Sequence, residues 1–154
     1  MAGNLIIMCG IPGSGKSTWI KNHLRAAAAY WVSRDKIRFE MMRPGDSYFT
    51  NEKEVYNTFC KITENLLKEN KNVIADATFL NKKSRSSFLD KINIKPNHTK
   101  VVVLDTPIEV CLDRNENREG LAKVPAAAIV NMANSFSMPT LDEGFDKIEV
   151  IKNE

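Results

Sequence analysis

The feature that most constrains this chain is a glycine-rich segment near its start, residues 10–17, with the sequence GIPGSGKS. It matches the pattern G-x-x-x-x-G-K-[S/T] at every fixed position. The apolar run 5–9 before it predicts a strand buried on both faces, and the residues after Lys16 predict a helix to about Ala29. Glycines let the backbone approach an anion, which the positive end of the following helix attracts. The segment therefore predicts a cradle for nucleotide phosphates.

Residues of this loop have separate expected roles. The amine of Lys16 is expected to reach the β- and γ-phosphates, and the hydroxyl of Ser17 is expected to ligate Mg²⁺. The predicted ligands are therefore ATP, or another nucleoside triphosphate, and Mg²⁺. The predicted nucleotide-binding residues of the loop are Gly10, Pro12, Gly13, Ser14, Gly15, Lys16, Ser17 and Thr18.

Strands and helices alternate along the rest of the chain. Further strands are predicted at residues 30–33, 72–76, 100–105 and 147–151. Further helices are predicted at residues 36–42, 51–69, 82–92, 107–117 and 125–136. The alternation predicts an α/β fold with a five-stranded parallel sheet between two layers of helices. No internal repeat or linker interrupts the pattern, so residues 1–154 are expected to form a single domain.

Apolar periodicity indicates which face of the long helix at 51–69 is buried. Val55, Phe59, Ile62 and Leu66 recur at spacings of four and three residues, which places them on one side of a helix. The helix is therefore predicted to be amphipathic, with these four side chains on its apolar face.

Composition narrows the class of protein without choosing a substrate. Hydrophobic residues make up 43% of the 154 residues and charged residues 27%, as in soluble globular proteins. The net charge of +3 permits a polyanionic partner without requiring one. No apolar run approaches the ~20 residues that a membrane span needs. Membrane association is therefore not expected, the cytoplasm is the default location, and the oligomeric state stays open.

Two sets of residues receive structural interpretations. Cys9, Cys60 and Cys111 lie in apolar stretches without metal or redox spacing, so they are interpreted as small core residues. Basic residues dominate the segment 81–100, where Asp90 is the one acid, and they are interpreted mainly as a solvated helix face. These basic residues are Lys82, Lys83, Arg85, Lys91, Lys95 and Lys100.

A second polar group, SRDKIR at residues 33–38, follows the second predicted strand. Asp35 and Arg38 are three residues apart and so share one face of a helix. A carboxylate here could accept a proton from an attacking hydroxyl, and the arginine could bind a substrate phosphate through its two terminal nitrogens. The residues alone leave open that Asp35 caps the helix and that Arg38 is a surface charge.

Two further polar groups complete the candidate site. Asp76 and Thr78 follow the third predicted strand, and the carboxyl ends of parallel strands meet at one crevice. Asp76 could instead cap a helix or shape a turn. Arg114 and Arg118 lie four residues apart before Gly120, a pattern that predicts a hinged lid at about residues 112–126. Contacts of these arginines with Glu116 and Glu119 are the alternative.

The segments GIPGSGKSTW, SRDKIR, IADATFLN and RNENREG together resemble the kinase domain of bacteriophage-type polynucleotide 5′-hydroxyl kinases. They also resemble the wider family of small P-loop kinases known as AAA-family ATPases. The resemblance covers about residues 5–151 and implies a P-loop kinase fold with a small helical lid. It further implies transfer of the γ-phosphate of ATP, with Mg²⁺, to the 5′-hydroxyl of DNA or RNA ends.

The resemblance also assigns roles to individual residues. Asp35 corresponds to the general base, Arg38 to the arginine that holds the phosphate beside the acceptor hydroxyl, and Arg118 to the catalytic lid arginine, with Arg114 beside it. Lys16 and Arg118 would act on the transferred phosphoryl group. The implied substrate-binding residues are Arg34, Arg38, Asp76 and Thr78. Nucleic acid ends are the implied partner, without a choice between DNA and RNA.

One departure and two alternatives accompany this resemblance. The family often has Asn after the third strand where this chain has Phe79, so acceptor contacts at that position are in question. A kinase for a hydroxyl of a sugar, nucleoside or antibiotic would use the same scaffold. A binding module that senses ATP without catalysis is the third hypothesis.

Overall fold

Five strands form one parallel sheet in a spatial order that differs from their order along the chain. The structure, a computed structural model, describes residues 1–153, with the side chain of Leu121 left aside. The strands are β1 (Leu5–Cys9), β2 (Ala29–Ser33), β3 (Asn72–Asp76), β4 (Thr99–Asp105) and β5 (Lys147–Lys152). Their order across the sheet is β2-β3-β1-β4-β5, and every neighbouring pair is parallel. The predicted five-stranded parallel α/β fold is therefore confirmed.

Helices connect the strands and cover the sheet. The α-helices are α1 (Lys16–His23), α2 (Arg34–Met41), α3 (Glu52–Lys68), α4 (Lys82–Lys91), α5 (Ile108–Glu116) and α6 (Ala126–Ser135). Short 3₁₀ turns lie at Gly120–Ala122 and Leu141–Glu143. Among residues 1–153 we find no helix with the length and hydropathy needed to cross a bilayer.

Alternate residues of β1 face two separate hydrophobic layers. Leu5 and Ile7 belong to the larger core, which α3 and α4 cover with Phe59 and Phe88. On the other face of the sheet, Met8 packs in a second core that includes residues of α1. A third cluster lies under α5 and α6. The two sheet cores account for the wholly apolar character of the central strands.

Two helices differ from their predictions for packing reasons. Helix α1 ends at His23 instead of about Ala29, because none of residues 24–28 is buried to give a longer helix a packed face, and β2 begins at Ala29. In α3, Val55 and Phe59 are buried as expected, but the side chain of Ile62 is 38% exposed. The buried face of α3 continues instead through Thr63 and Leu67.

Arg85 is the buried exception in the basic segment, where four of the six basic residues are exposed. Its side chain is fully buried and forms an ion pair with Glu143 at 2.9 Å. Its Nη1 also donates to the carbonyl oxygens of Phe79 and Ser137, at 2.9 Å and 3.1 Å. Arg85 therefore joins α4 to two loops. The three cysteines are buried and free, as the sequence predicted.

Candidate active site

The glycine-rich loop lies between β1 and α1, where its backbone conformation and its packing both require glycine. Gly13 and Gly15 have φ values of +84° and +107°, in the left-handed region. A Cβ on Gly13 would lie 2.7 Å from the carbonyl oxygen of Cys111 in α5. A Cβ on Gly10 would lie 2.5 Å from the hydroxyl oxygen of Ser14. The loop is thus held closely between the sheet and α5.

The amine of Lys16 lies inside this loop. Its Nζ donates to the carbonyl oxygens of Gly10 and Ile11, at 2.8 Å and 3.1 Å. Burial lowers the pKa of Lys16, while the carboxylates of Asp76 and Asp35 partly offset this and the nearby Arg118 adds to it. These groups therefore lie within electrostatic reach of the loop lysine.

A network of side chains faces the loop from α2 and the segment after it. Asp35 accepts hydrogen bonds from the hydroxyl of Tyr48, at 2.7 Å, and from Nη1 of Arg38. Nη2 of Arg38 donates to both carboxylate oxygens of Glu52, at 2.7 Å and 2.9 Å. The guanidinium of Arg38 lies over the ring of Tyr48, with its carbon 4.2 Å from the centroid. Asp35 and Arg38 therefore have fixed positions.

The alternatives left open for this group do not hold. Ser33 caps α2, because its hydroxyl accepts from the backbone N–H of Lys36 at 3.1 Å. Asp35 is therefore not the helix cap. Only 4% of Arg38 is exposed, so it is not a surface charge. Burial and the adjacent Asp35 carboxylate raise the pKa of Tyr48 above its usual range, which keeps its hydroxyl a proton donor.

Asp76 is buried at the carboxyl end of β3 and faces the same crevice. It accepts a hydrogen bond from the indole N–H of Trp31 at 2.9 Å, and burial raises the pKa of Asp76. It caps no helix, because Asn81 is the N-cap of α4. The carbonyl oxygen of Thr78 accepts from the backbone N–H of Gly10 at 3.0 Å, which joins the loop after β3 to the glycine-rich loop.

Phe79 is a core residue in an unusual backbone conformation. Its φ is +44°, a region that Asn tolerates better than Phe. Its ring lies 4.8 Å and 6.2 Å, centroid to centroid, from those of Phe88 and Phe59. At this position, where the resemblance predicts Asn, the chain thus has Phe79, whose ring packs in the hydrophobic core.

Helix α5 and the residues directly after it carry two arginines that line the pocket, Arg114 within the helix and Arg118 two residues beyond its end. Nη1 of Arg114 donates to the carbonyl oxygen of Gly13 at 3.0 Å, and Arg118 lines the same pocket. Among the described residues neither arginine pairs with Glu116 or Glu119, and Glu116 pairs with Lys123 instead. The buried amide of Asn115 bonds the backbone of Val124 in both directions, at 2.6 Å and 2.9 Å. This contact lies within the predicted lid region, residues 112–126, and joins the last turn of α5 to the segment before α6.

One pocket of about 520 Å³ joins these groups, a size that suits a nucleotide with a second substrate. Of the predicted side chains, it is lined by Pro12, Lys16, Ser17, Thr18, Arg34, Asp35, Arg38, Asp76, Thr78, Arg114 and Arg118, with Gly13 and Gly15. Gly10 and Ser14 lie behind the lining. Sequence reasoning missed Tyr48 and Glu52, which line the wall and bind Asp35 and Arg38. Their only signal was nearness in sequence to the SRDKIR segment.

The residues present fit a nucleotide with Mg²⁺. The side chain of Ser17 is exposed in the first turn of α1, next to backbone N–H groups that no helical carbonyl can satisfy. Within residues 1–153 no group of three or more His, Cys, Asp or Glu side chains could hold a metal. The single hydroxyl of Ser17 is compatible with Mg²⁺, which in phosphate-transfer sites takes few protein ligands and is held largely by phosphate and water.

Comparison with known proteins gives two relatives of similar sequence. The chain is 31% identical over 152 residues to "Transcription factor bHLH140" of Arabidopsis thaliana, across 94% of this chain and 15% of that protein. It is 28% identical over 154 residues to "Putative bifunctional polynucleotide phosphatase/kinase" of Acanthamoeba polyphaga mimivirus, across 96% of this chain and 32% of that protein. The chain thus spans at most about a third of the length of these relatives.

Solved structures share the fold. A chain of the Pnkp1/Rnl/Hen1 RNA repair complex is 25% identical with a TM-score of 0.67, over 87% of this chain and 44% of that chain. A sugar kinase from Janibacter sp. HTCC2649 is 19% identical with a TM-score of 0.66, over 99% and 86% of the two chains. The second likeness concerns the fold alone.

A family model described as an AAA domain matches residues 5–139, which include the glycine-rich loop and four of the five strands. One relative is named as a polynucleotide phosphatase/kinase, and one structural neighbour is named as a sugar kinase. The chain therefore belongs to the AAA-domain family, and its glycine-rich loop and fold are those of a P-loop protein.

Proposed function

We propose that this protein is an ATP-dependent polynucleotide 5′-hydroxyl kinase. The observation that carries the proposal is that Asp35 and Arg38 line the same pocket as the P-loop, Arg114 and Arg118. A phosphate donor and a phosphate-bearing acceptor can thus be held in one site. The similarity to polynucleotide kinases supports a nucleic acid end as the acceptor.

In this proposal Asp35 acts as the general base. Its Oδ1 is held by Tyr48 and Arg38, so the carboxylate is fixed in the pocket. The acceptor hydroxyl transfers its proton to Asp35 as its oxygen bonds to the γ-phosphorus. The bond from that phosphorus to the β-γ bridging oxygen breaks, and ADP leaves with the electron pair.

The P-loop and α5 would hold the donor. Lys16 and the backbone N–H groups at the start of α1 bind the β- and γ-phosphates, and Arg118 balances charge that develops during transfer. Ser17 is the residue that would hold Mg²⁺, which supplies further neutralisation of phosphate charge when bound. Arg114 holds the carbonyl of Gly13 and so positions the loop.

Arg38 would bind the phosphate next to the acceptor hydroxyl. Among the described residues its Nε is buried and has no hydrogen-bond partner. A buried donor without a partner costs free energy, which an acceptor phosphate at this atom would recover. Asp76 and Thr78 line the same part of the pocket and would position the acceptor sugar.

The test is an acceptor screen with labelled ATP. We expect phosphate transfer to 5′-hydroxyl oligonucleotides and not to free sugars or antibiotics. Asp35→Asn should abolish transfer, while Asp90→Asn, at an exposed carboxylate of α4, should leave it unchanged. Transfer to a small metabolite with none to oligonucleotides would contradict the proposal in favour of the small-molecule kinase. Retained ATP binding and function in Asp35→Asn would favour the sensing module.

A further inference from the structure

A second groove opens beside the pocket and shares two residues with it. Its volume is about 390 Å³, within the range of small-ligand sites. Arg34 and Thr78 line both the groove and the pocket, so the two are adjacent. The other groove residues used below are Tyr56, Asn81, Lys83 and Ser87. We call this the side groove.

The chemistry of the side groove suits an anion joined to a ring. It is lined by the cations Arg34 and Lys83 and by hydroxyl groups that include Ser87, and none of its lining residues is an aspartate or glutamate. The N-terminus of α4, capped by Asn81, adds a partial positive charge. The ring of Tyr56 offers a surface on which a planar group can stack.

Cationic groups already surround the ring of Tyr56. The guanidinium carbon of Arg34 lies 5.0 Å from its centroid, and Nζ of Lys91 lies 5.9 Å from it. The ring is half-buried, and burial raises the pKa of Tyr56 to about 12. The phenol is therefore neutral and does not repel an anion.

Arg34 connects the side groove to the acceptor end of the pocket. It lies one helical turn before Arg38 on α2, and Glu52 pairs with both arginines. An acceptor with its hydroxyl at Asp35 and its adjacent phosphate at Arg38 would enter the side groove if the next nucleotide passed Arg34, which lines both cavities. The side groove is the adjoining cavity on that side.

We infer that the side groove binds the second nucleotide of a polynucleotide acceptor. Lys83 contacts its phosphate and Tyr56 contacts its base. This inference rests on the proposed kinase function and adds to it a binding site for the second nucleotide of acceptors that have one. The inference also gives Lys83 a different role from its neighbour Lys82. The charge of Lys82 lies close enough to Asp142 and Glu143 to lower the pKa values of these two carboxyl groups.

The test compares two acceptors and two lysines. The acceptors are a nucleoside 3′-phosphate, which reaches Arg38 only, and a short 5′-hydroxyl oligonucleotide, which also enters the side groove. We expect Lys83→Ala to raise the KM of the oligonucleotide about 3- to 10-fold and to leave that of the nucleoside 3′-phosphate unchanged. Lys82→Ala, an exposed lysine of the same helix, should change neither.

Oligonucleotide binding without ATP gives a second readout. Fluorescence anisotropy of a 3′-labelled oligonucleotide should show that Lys83→Ala reduces the slope of log Kd against log salt by about 0.7, as for one lost single-strand phosphate contact. If Lys83→Ala affects both acceptors equally, or affects neither, the side-groove inference is overturned. Transfer to the nucleoside 3′-phosphate by the wild type would still support the kinase proposal in that case. Absence of transfer to both acceptors in the wild type would overturn the kinase proposal itself.

Discussion

Two buried arginines of this protein each bind a glutamate through two hydrogen bonds, yet their surroundings differ. The side chain of Arg85 is fully buried and that of its partner Glu143 is 6% exposed. The side chain of Arg38 is 5% exposed, but that of its partner Glu52 is 36% exposed and lines the pocket. The cations are equally buried, so the exposure of the carboxylate is what separates the two pairs.

The hydrogen bonds of the two guanidinium groups differ in the same way. Every nitrogen of Arg85 has a partner, in Glu143 or in a backbone carbonyl that cannot move away. Arg38 is held by three side chains, and among the described residues its Nε has no partner. Side-chain partners can exchange for a ligand, whereas fixed carbonyls cannot. A saturated arginine is therefore structural, and a partly saturated one beside a pocket is available for binding.

The largest effect that tests this comparison is a loss of stability at Arg85. Arg85→Met should lower the free energy of unfolding by about 3–5 kcal/mol, because it leaves Glu143 buried without its partner. Urea unfolding followed by circular dichroism measures the change. If Arg85→Met lowers the free energy of unfolding by less than about 1 kcal/mol, Glu143 must be hydrated in the variant. The Arg85–Glu143 pair would then not differ in this respect from the Arg38–Glu52 pair.

The matched change at the site should reduce activity more than stability. In Arg38→Met, Glu52 and Asp35 are 36% and 49% exposed and can be rehydrated, so we expect a smaller loss of unfolding free energy than in Arg85→Met. The kcat/KM for an oligonucleotide acceptor should fall about 10- to 100-fold, as for the loss of a hydrogen bond to a charged group. Unaltered kcat/KM would contradict a role for Arg38 in binding the acceptor.

Sequence patterns predicted the fold and the position of the glycine-rich loop between β1 and α1 because those depend on local rules. The strand at β1, the glycine pattern and the helix start at Lys16 are adjacent in sequence, and the structure has them as predicted. Asp35 and Arg38 could be paired because three residues on a helix fix their relation.

The contacts that could not be predicted join distant parts of the chain. Arg85 and Glu143 are separated by 58 residues, and nothing in the local pattern of α4 distinguishes Arg85 from the lysines around it. Glu52 opens α3, where an acidic residue is common for helix-dipole reasons, so its pairing with α2 was not visible. Ile62 was misplaced because α3 turns a polar Thr63 toward the core, where its hydroxyl donates to the carbonyl of Phe59.

Acid unfolding should report the structural pair. Burial opposes ionisation of Glu143, but hydrogen bonds from Arg85 and the backbone of Thr140 prevail and hold the pKa of Glu143 below its usual range. A lowered pKa in the folded state contributes stability above the unfolded value of about 4.3, and this is lost as pH falls through the folded pKa. The difference in unfolding free energy between the wild type and Glu143→Gln should therefore shrink below about pH 4. Glu54→Gln, at an exposed glutamate of α3, serves as the control, and an unchanged difference at low pH would contradict the prediction.

The smallest expected effect concerns the partner of Arg38. Glu52→Gln removes a half-exposed charge while Asp35 still holds Arg38, so the free energy of unfolding should change by less than about 1 kcal/mol. The Glu52 carboxylate binds the terminal nitrogens of both Arg34 and Arg38. In the proposed kinase an acceptor phosphate would compete with Glu52 for these nitrogens. Glu52→Gln should therefore lower the KM for an oligonucleotide acceptor about 2- to 5-fold, consistent with an ion pair of this modest strength.

Steady-state kinetics at fixed ATP would measure this change, with Glu54→Gln again as the control. A raised KM would mean that Glu52 orients the two arginines for the acceptor instead of competing with it. In that case the glutamate of each pair would hold its arginine in place, and the exposure of the carboxylate would no longer distinguish a structural pair from a ligand-binding one. A lowered KM with unchanged stability would instead show that a phosphate can replace Glu52 as the partner of Arg38. Glu143 cannot be replaced in this way, because its side chain is buried, whereas the Glu52 carboxylate can be solvated when a phosphate takes its place.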